Sequence, residues 1–180
     1  MHATEGDLHI EDLSSRPRFG CKGPGAEPWL RERGFDVPPG ANSARTNPGN
    51  AWVARLATSE FLIEDLGGAG ESVPSAWRAL ACTEPPPGVY PVLRQDFVVG
   101  ISGLGTKALL RQICNVDFDP LFHGQAAPDG SIVLTSMAGV GVVAWPLCSA
   151  DRCSITLWMD PSFAHYFQST LRSISSDFRR

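Results

Sequence analysis

The chain has 180 residues, with 15 Lys and Arg against 19 Asp and Glu, so its formal net charge is −4 with His neutral. A chain of this length buries roughly two thirds of the surface its unfolded form exposes, and needs neither disulfides nor a structural metal to hold a core. Lys occurs only at positions 22 and 107, which excludes a phosphate-neutralising nucleic-acid face, and no apolar stretch reaches the roughly 20 residues that cross a bilayer.

The 18 Gly and 15 Pro demand many turns and exclude a simple helical bundle. The N-terminal stretch, Met1–Asp12, carries acidic residues and two His, not the basic and apolar pattern of a secretory signal. Residues 1–15 read as a flexible N-terminal segment, and the expected location is cytoplasmic. The five Cys, at 21, 82, 114, 148 and 153, form an odd set with irregular spacing, unlike a secreted disulfide scaffold, and read as reduced.

A near-repeat then organises the chain. Arg18–Asp36 and Val98–Asp117 align at an offset of about 80, with Gly23 and Gly25 matching Gly103 and Gly105, and Leu30 matching Leu110. Each copy reads as a strand, a tight glycine turn and a short amphipathic helix. In the first copy a Pro-, Asn- and Gly-rich loop over 38–50 leads to a hairpin of 51–56 and 60–65, and a helix is expected over 73–81. A proline-rich connector, residues 83–91, separates the first half (16–82) from the second (92–180), the whole forming one compact unit.

The second copy continues with a loop over 120–130. Strands over 132–137 and 140–147 pair across Ala138-Gly139, and another strand covers 154–159. A closing helix spans 161–174: Asp160 caps it, Pro161 suits its first position, and Phe163, Phe167, Leu171 and Ile174 share one face. Each half is thus a β-α-β-β unit with a further helix, and the fold class is α+β with antiparallel sheets covered by helices.

The run Phe97–Pro120, the segment Trp158-Met-Asp-Pro-Ser-Phe-Ala164 and the earlier Lys22-Gly-Pro-Gly-Ala26 with Trp29-Leu30 resemble the gamma subunit of heterotetrameric sarcosine oxidase. That family is similar to the folate-binding domain of the glycine-cleavage aminomethyltransferase. The resemblance covers about residues 16–175 and implies a folate-binding-domain-like fold. It also implies an accessory role in a hetero-oligomer that oxidatively demethylates an N-methylated amine, either sarcosine oxidase-like or like a methylated-amine monooxygenase. Flavin, haem or iron–sulfur groups would then sit on the larger catalytic subunits. The alternative is a free-standing, tetrahydrofolate-binding protein of one-carbon transfer. Aminomethyltransferases carry an Asp-x-Ser element before the glycine turn, and the corresponding positions here are Val92 and Arg94; Val92 cannot ionise, so no proton relay or iminium stabilisation arises there. Asp96 falls on another phase of the strand.

Other candidates have plain alternatives. The glycine turns precede helix starts, which attract anions, but Pro28 and Ala108 stand where a G-x-G-x-x-G would need its third glycine. Cys148 and Cys153, with His123 or His165, would be an irregular metal set, and a hairpin near 149–152 explains the pair more simply. Cys114 with His123 or His165 could form a nucleophile and base, yet Cys114 closes an apolar helix and reads as buried. Glu60 is a ligand-facing carboxylate or, more plainly, a solvent-facing strand residue beside inward Phe61 and Ile63. The five Trp (29, 52, 77, 145 and 158) read individually as core, and together as apolar surface suited to permanent docking, where the tail Phe178-Arg-Arg180 could also sit. No catalytic residue and no metal site is assigned, and no cofactor is placed on this chain.

Overall fold

The computed structural model describes residues 8–47, 50–66, 84–122, 129–149 and 152–176. The architecture is α+β, with antiparallel sheets and few helices. The chain divides into two compact units, one built from residues 15–94 and the other from 95–176 together with 8–14.

In the first unit, β2 (Arg18–Lys22) enters a turn at Gly23 and continues as α1 (Ala26–Glu32). Strands β3 (Ser43–Asn47), β4 (Ala51–Ala57), β5 (Glu60–Asp65) and β6 (Tyr90–Val92) follow. Their spatial order is β6–β2–β5–β4–β3, all antiparallel. Alternation along β2 and β5 sends Phe19, Cys21, Phe61 and Ile63 to the face where Trp29 and Leu30 of α1 pack, and all are buried. The β4–β5 hairpin carries a bulge at Arg55–Ala57, which absorbs the odd residue between the two strands. The segment over 38–50, expected as loop, contains β3 at its C-terminal end. The helix expected over 73–81 lies outside the described residues.

In the second unit, β7 (Phe97–Gly103) turns at Gly103 into α2 (Thr106–Ile113). A one-turn helix α3 (Asp119–Phe122) and the short β8 (Asp129–Ser131) precede β9 (Val133–Met137), β10 (Val140–Ser149) and β11 (Arg152–Met159). With β1 (Leu8–Asp12) the order is β1–β7–β11–β10–β9. On α2, Thr106, Leu109, Leu110 and Ile113 are buried, a one-sided helical spacing that seats the helix on Val99, Ile101, Ile155 and Leu157 of the sheet. Ala138 and Gly139, with φ of 48° and 80°, close the β9–β10 hairpin with the left-handed pair that such two-residue turns require. Asp160 accepts a hydrogen bond from the Ser162 N–H at 2.8 Å, Pro161 opens a 3-10 turn, and α4 (Ala164–Ser175) buries Phe167 and Leu171.

Several expectations are corrected. Residues 8–12, expected within a flexible segment, form a strand whose partner is β7, with Ile10 opposite Ile101. Residues 90–92, expected as the end of a connector and the start of the second half, form a strand on β2, with Val92 opposite Gly20. The strand leading into each half therefore completes the other unit's sheet. Of the loop expected over 120–130, residues 120–122 belong to α3, where Asp117 accepts a hydrogen bond from the Asp119 N–H at 3.0 Å, and residues 129–130 belong to β8.

Candidate functional site

The repeated turns are the same backbone device twice. Gly23 and Gly103 have φ of 112° and 114°, a region that L side chains rarely enter. Gly25 and Gly105 then stand at the starts of α1 and α2. At the first turn the Gly25 N–H donates to the Gly88 carbonyl at 3.0 Å, and the Ala26 N–H donates to the Gly23 carbonyl at 3.0 Å. A Cβ on Gly25 would meet Val89 at 3.1 Å, and one on Gly105 would meet Leu8 at 3.4 Å. The chain's own lead-in strands cover both turns, so these glycines serve close packing and not anion capture.

The first unit holds a cavity of about 310 Å³ beside β2 and β6. Phe19, Trp29, Val89 and Leu93 supply apolar wall, and Arg18 and Arg94 are the cations on it. The Arg33 guanidinium lies 4.4 Å from the Trp29 ring centroid. Gly20 lets Arg94 cross the strand, because a Cβ there would meet Arg94 Nε at 3.0 Å and the Phe61 carbonyl at 3.2 Å.

Both arginines are held by carboxylates on β5. Arg18 Nε donates to Glu64 Oε2 at 3.0 Å, with side chains 4 % and 0 % exposed, and Arg16 adds a longer contact to Glu64 at 3.6 Å. Arg94 Nη2 donates to Glu60 Oε1 at 3.0 Å. Glu60 is thus a partly exposed strand carboxylate tied to Arg94, while Phe61 and Ile63 point inward as expected.

The one thiol on this cavity, Cys21, is buried, and desolvation pushes its pKa up to about 12. It stays protonated at neutral pH and is a poor nucleophile. With apolar walls, its two arginines paired to Glu64 and Glu60, and its thiol protonated, the cavity is suited to binding an apolar group. Sequence reasoning missed Arg18 and Arg94 as cavity residues. The signal was present in the charged ends of apolar strands, Arg18 in one and Glu64 in the other, which antiparallel pairing sets opposite each other.

The cysteine candidates disperse. Cys114 is buried at the end of α2, where its sulfur accepts from the Val116 N–H at 3.5 Å and lies 3.7 Å from Thr135 Oγ1. His165 is exposed on α4, and His123 lies outside the described residues. Cys153 is disulfide-bonded, which corrects the expectation that all five cysteines are reduced. The β10–β11 ladder sets Cys148 directly opposite Cys153, two pairs from the hairpin's end, so the hairpin expected near 149–152 is present. Among the described residues no group of three or more His, Cys, Asp and Glu is arranged to hold a metal ion.

Trp29, Trp52, Trp145 and Trp158 are all buried, so they do not supply a docking surface, and Trp77 lies outside the described residues, as does the tail 178–180. Among the described residues the exposed large apolar side chains are instead Tyr90, Leu93, Leu104, Leu134, Phe163 and Tyr166. No described helix is long and apolar enough to cross a membrane. No protein-family model matches the chain, and no curated protein is similar to it.

Proposed function

We propose that the chain is an accessory, gamma-like subunit of a multisubunit oxidoreductase that oxidatively demethylates an N-methylated amine, with a structural and interface role. The observation that carries this reading is a twice-repeated glycine-turn unit in which the position of the transferases' acid is taken by Val92, which cannot ionise, and Arg94 two residues on is tied to Glu60. Tyr90 and Leu93, 57 % and 81 % exposed, offer apolar surface to a larger subunit. Flavin, haem or iron–sulfur chemistry belongs in this reading to the partner subunits. Purification of a tagged chain from its native cell tests it: the expected result is a hetero-oligomer containing larger, coloured subunits, and a chain that purifies alone with folate-dependent transferase activity overturns it.

A second reading, a free-standing tetrahydrofolate-binding protein, is favoured by the cavity of about 310 Å³ with its aromatic wall, a size within the usual range for small ligands. Trp29 lines that cavity, so saturable quenching of tryptophan fluorescence by tetrahydrofolate supports this reading, and a flat titration eliminates it.

A cytoplasmic setting belongs to the leading reading, and the disulfide at Cys153 weighs against it. Thiol titration of the unfolded chain, isolated without reductant, decides the matter. Five titrating thiols of the five Cys agree with a reducing compartment. Three, rising to five after reduction, mean that the disulfide forms in the cell.

A further inference from the structure

The two lead-in strands differ at one position that decides what their outer edges can do. Leu13 N–H donates to the Val98 carbonyl at 2.9 Å, which fixes the phase of the β1–β7 ladder: the backbone groups of residues 9 and 11 point toward β7, and those of Leu8, Ile10 and Asp12 point away. No described residue pairs with the outward groups of Ile10. On β6 the residue in the same place is Pro91, opposite Cys21 as Ile10 is opposite Ile101. Proline has no N–H to offer and is a common way to blunt a sheet edge. Among the described residues, the outer edge of β6 is blunted by its proline and that of β1 is left open.

The open edge also borders a groove. A cavity of about 340 Å³ runs along β1 and the facing side of α4, where Gln168, Leu171, Arg172 and Ser175 recur at helical spacing. Leu8 and Ile10 are half-buried and turn toward this helix, whereas His9 and Glu11 are exposed on the opposite face. An added strand would therefore receive backbone hydrogen bonds from residues 8, 10 and 12, and could place apolar side chains in the groove.

We propose that the occupant is a second copy of this chain, joined β1 to β1 in antiparallel fashion about a twofold axis at Ile10. The strand Leu8-His9-Ile10-Glu11-Asp12 is complementary to itself in that register. Ile10 faces Ile10 of the other copy, the outward groups of Leu8 meet those of Asp12, and His9 stands opposite Glu11 twice, so that an imidazole N–H can donate to a carboxylate on the exposed face. The register uses only the outward-pointing residues for its hydrogen bonds, so β1–β7 pairing is untouched. Ile10 of each copy extends the apolar filling of the other's groove. The same geometry explains why β6 does not do this, since Pro91 removes the donor from the centre of the strand.

Native mass spectrometry and sedimentation of the full-length chain test the proposal, without reference to any larger subunit. The expected state is a dimer that dissociates on dilution. Ile10→Pro removes an outward N–H that β7 does not use, as Pro91 does in the other unit, and should give a folded monomer with an unchanged circular dichroism spectrum. His9→Glu sets like charges opposite each other twice and should weaken the dimer about tenfold, and adding Glu11→Lys should restore it. A wild-type chain that is monomeric at all concentrations overturns the proposal. So does a dimer indifferent to both Ile10→Pro and His9→Glu, or a chain in which these changes disturb only assembly with a larger subunit.

Discussion

The two units share strand order, turn conformation and helix placement, yet equivalent positions carry opposite chemistry. Val98 and Trp158 face each other across β7 and β11, and Arg18 and Glu64 face each other across β2 and β5. All four residues are largely buried. Leu13 packs over Gly100 in one unit, and Arg94 lies over Gly20 in the other, tied to Glu60. The comparison separates what the fold requires from what it tolerates. Glycines at fixed turns and crossings are common to both units, while the side chain opposite them can be apolar or charged so long as a charge finds its partner.

The sharpest way to break the comparison is at the buried pair. Glu64→Gln leaves Arg18 in a 4 % exposed site without its counter-charge and should cost about 3–5 kcal/mol in urea unfolding, whereas the double change Arg18→Met with Glu64→Leu should cost far less. Next comes the turn: Gly23→Ala forces a side chain at φ 112° and sets its Cβ 2.3 Å from the Gly88 carbonyl, for an expected loss of about 3 kcal/mol in thermal or urea unfolding.

The lead-in strands come third. Leu13→Ala should cost about 2–3 kcal/mol as a buried leucine does, while Arg94→Leu, whose partner Glu60 is 38 % exposed, should change stability by less than about 1 kcal/mol. The smallest effect concerns acid. Asp119 is held below the ordinary carboxylate range by hydrogen bonds from Lys107 and Arg111, and Asp160 by hydrogen bonds from Ser162. A depressed folded pKa adds stability above the unfolded value and loses it as pH falls through the folded one. Both groups belong to the second unit, so NMR titration should find them protonating below ordinary Asp, and Asp119→Asn should flatten the acid limb of that unit's stability profile.

Much of this was legible in the sequence, for reasons that differ by element. The glycine turns could be read because only glycine occupies φ near 112° without strain, and its spacing to the next helix survives in both copies. The α4 start was legible through Asp160 and Pro161, which act within one turn. The lead-in strands were not, because β1 is short, its acidic end resembles a solvated tail, and its partner lies about 90 residues away; only the Leu8–Ile10 alternation hinted at it. β6 was hidden by the prolines around it, one of which, Pro91, sits where the ladder needs no N–H. Arg18 and Arg94 escaped notice as cavity residues because a charge inside an apolar strand can be interpreted only once the facing strand is known. The disulfide at Cys153 was missed because count and spacing speak to a scaffold, not to two cysteines that one hairpin's register sets opposite each other.

The exchange of lead-in strands also bears on the order in which the protein can be built. The five strands that residues 15–94 contribute to their sheet have all been made by residue 92, while β1, synthesised before any of them, must wait for β7. At about 5–20 residues per second, that interval lasts roughly 4–20 seconds, during which β1 has no β-partner of its own. The exposed His9, Glu11 and Asp12 keep that waiting strand soluble. A released fragment that ends at residue 94 should therefore show the first unit protected from protease and its N-terminal strand open to cleavage.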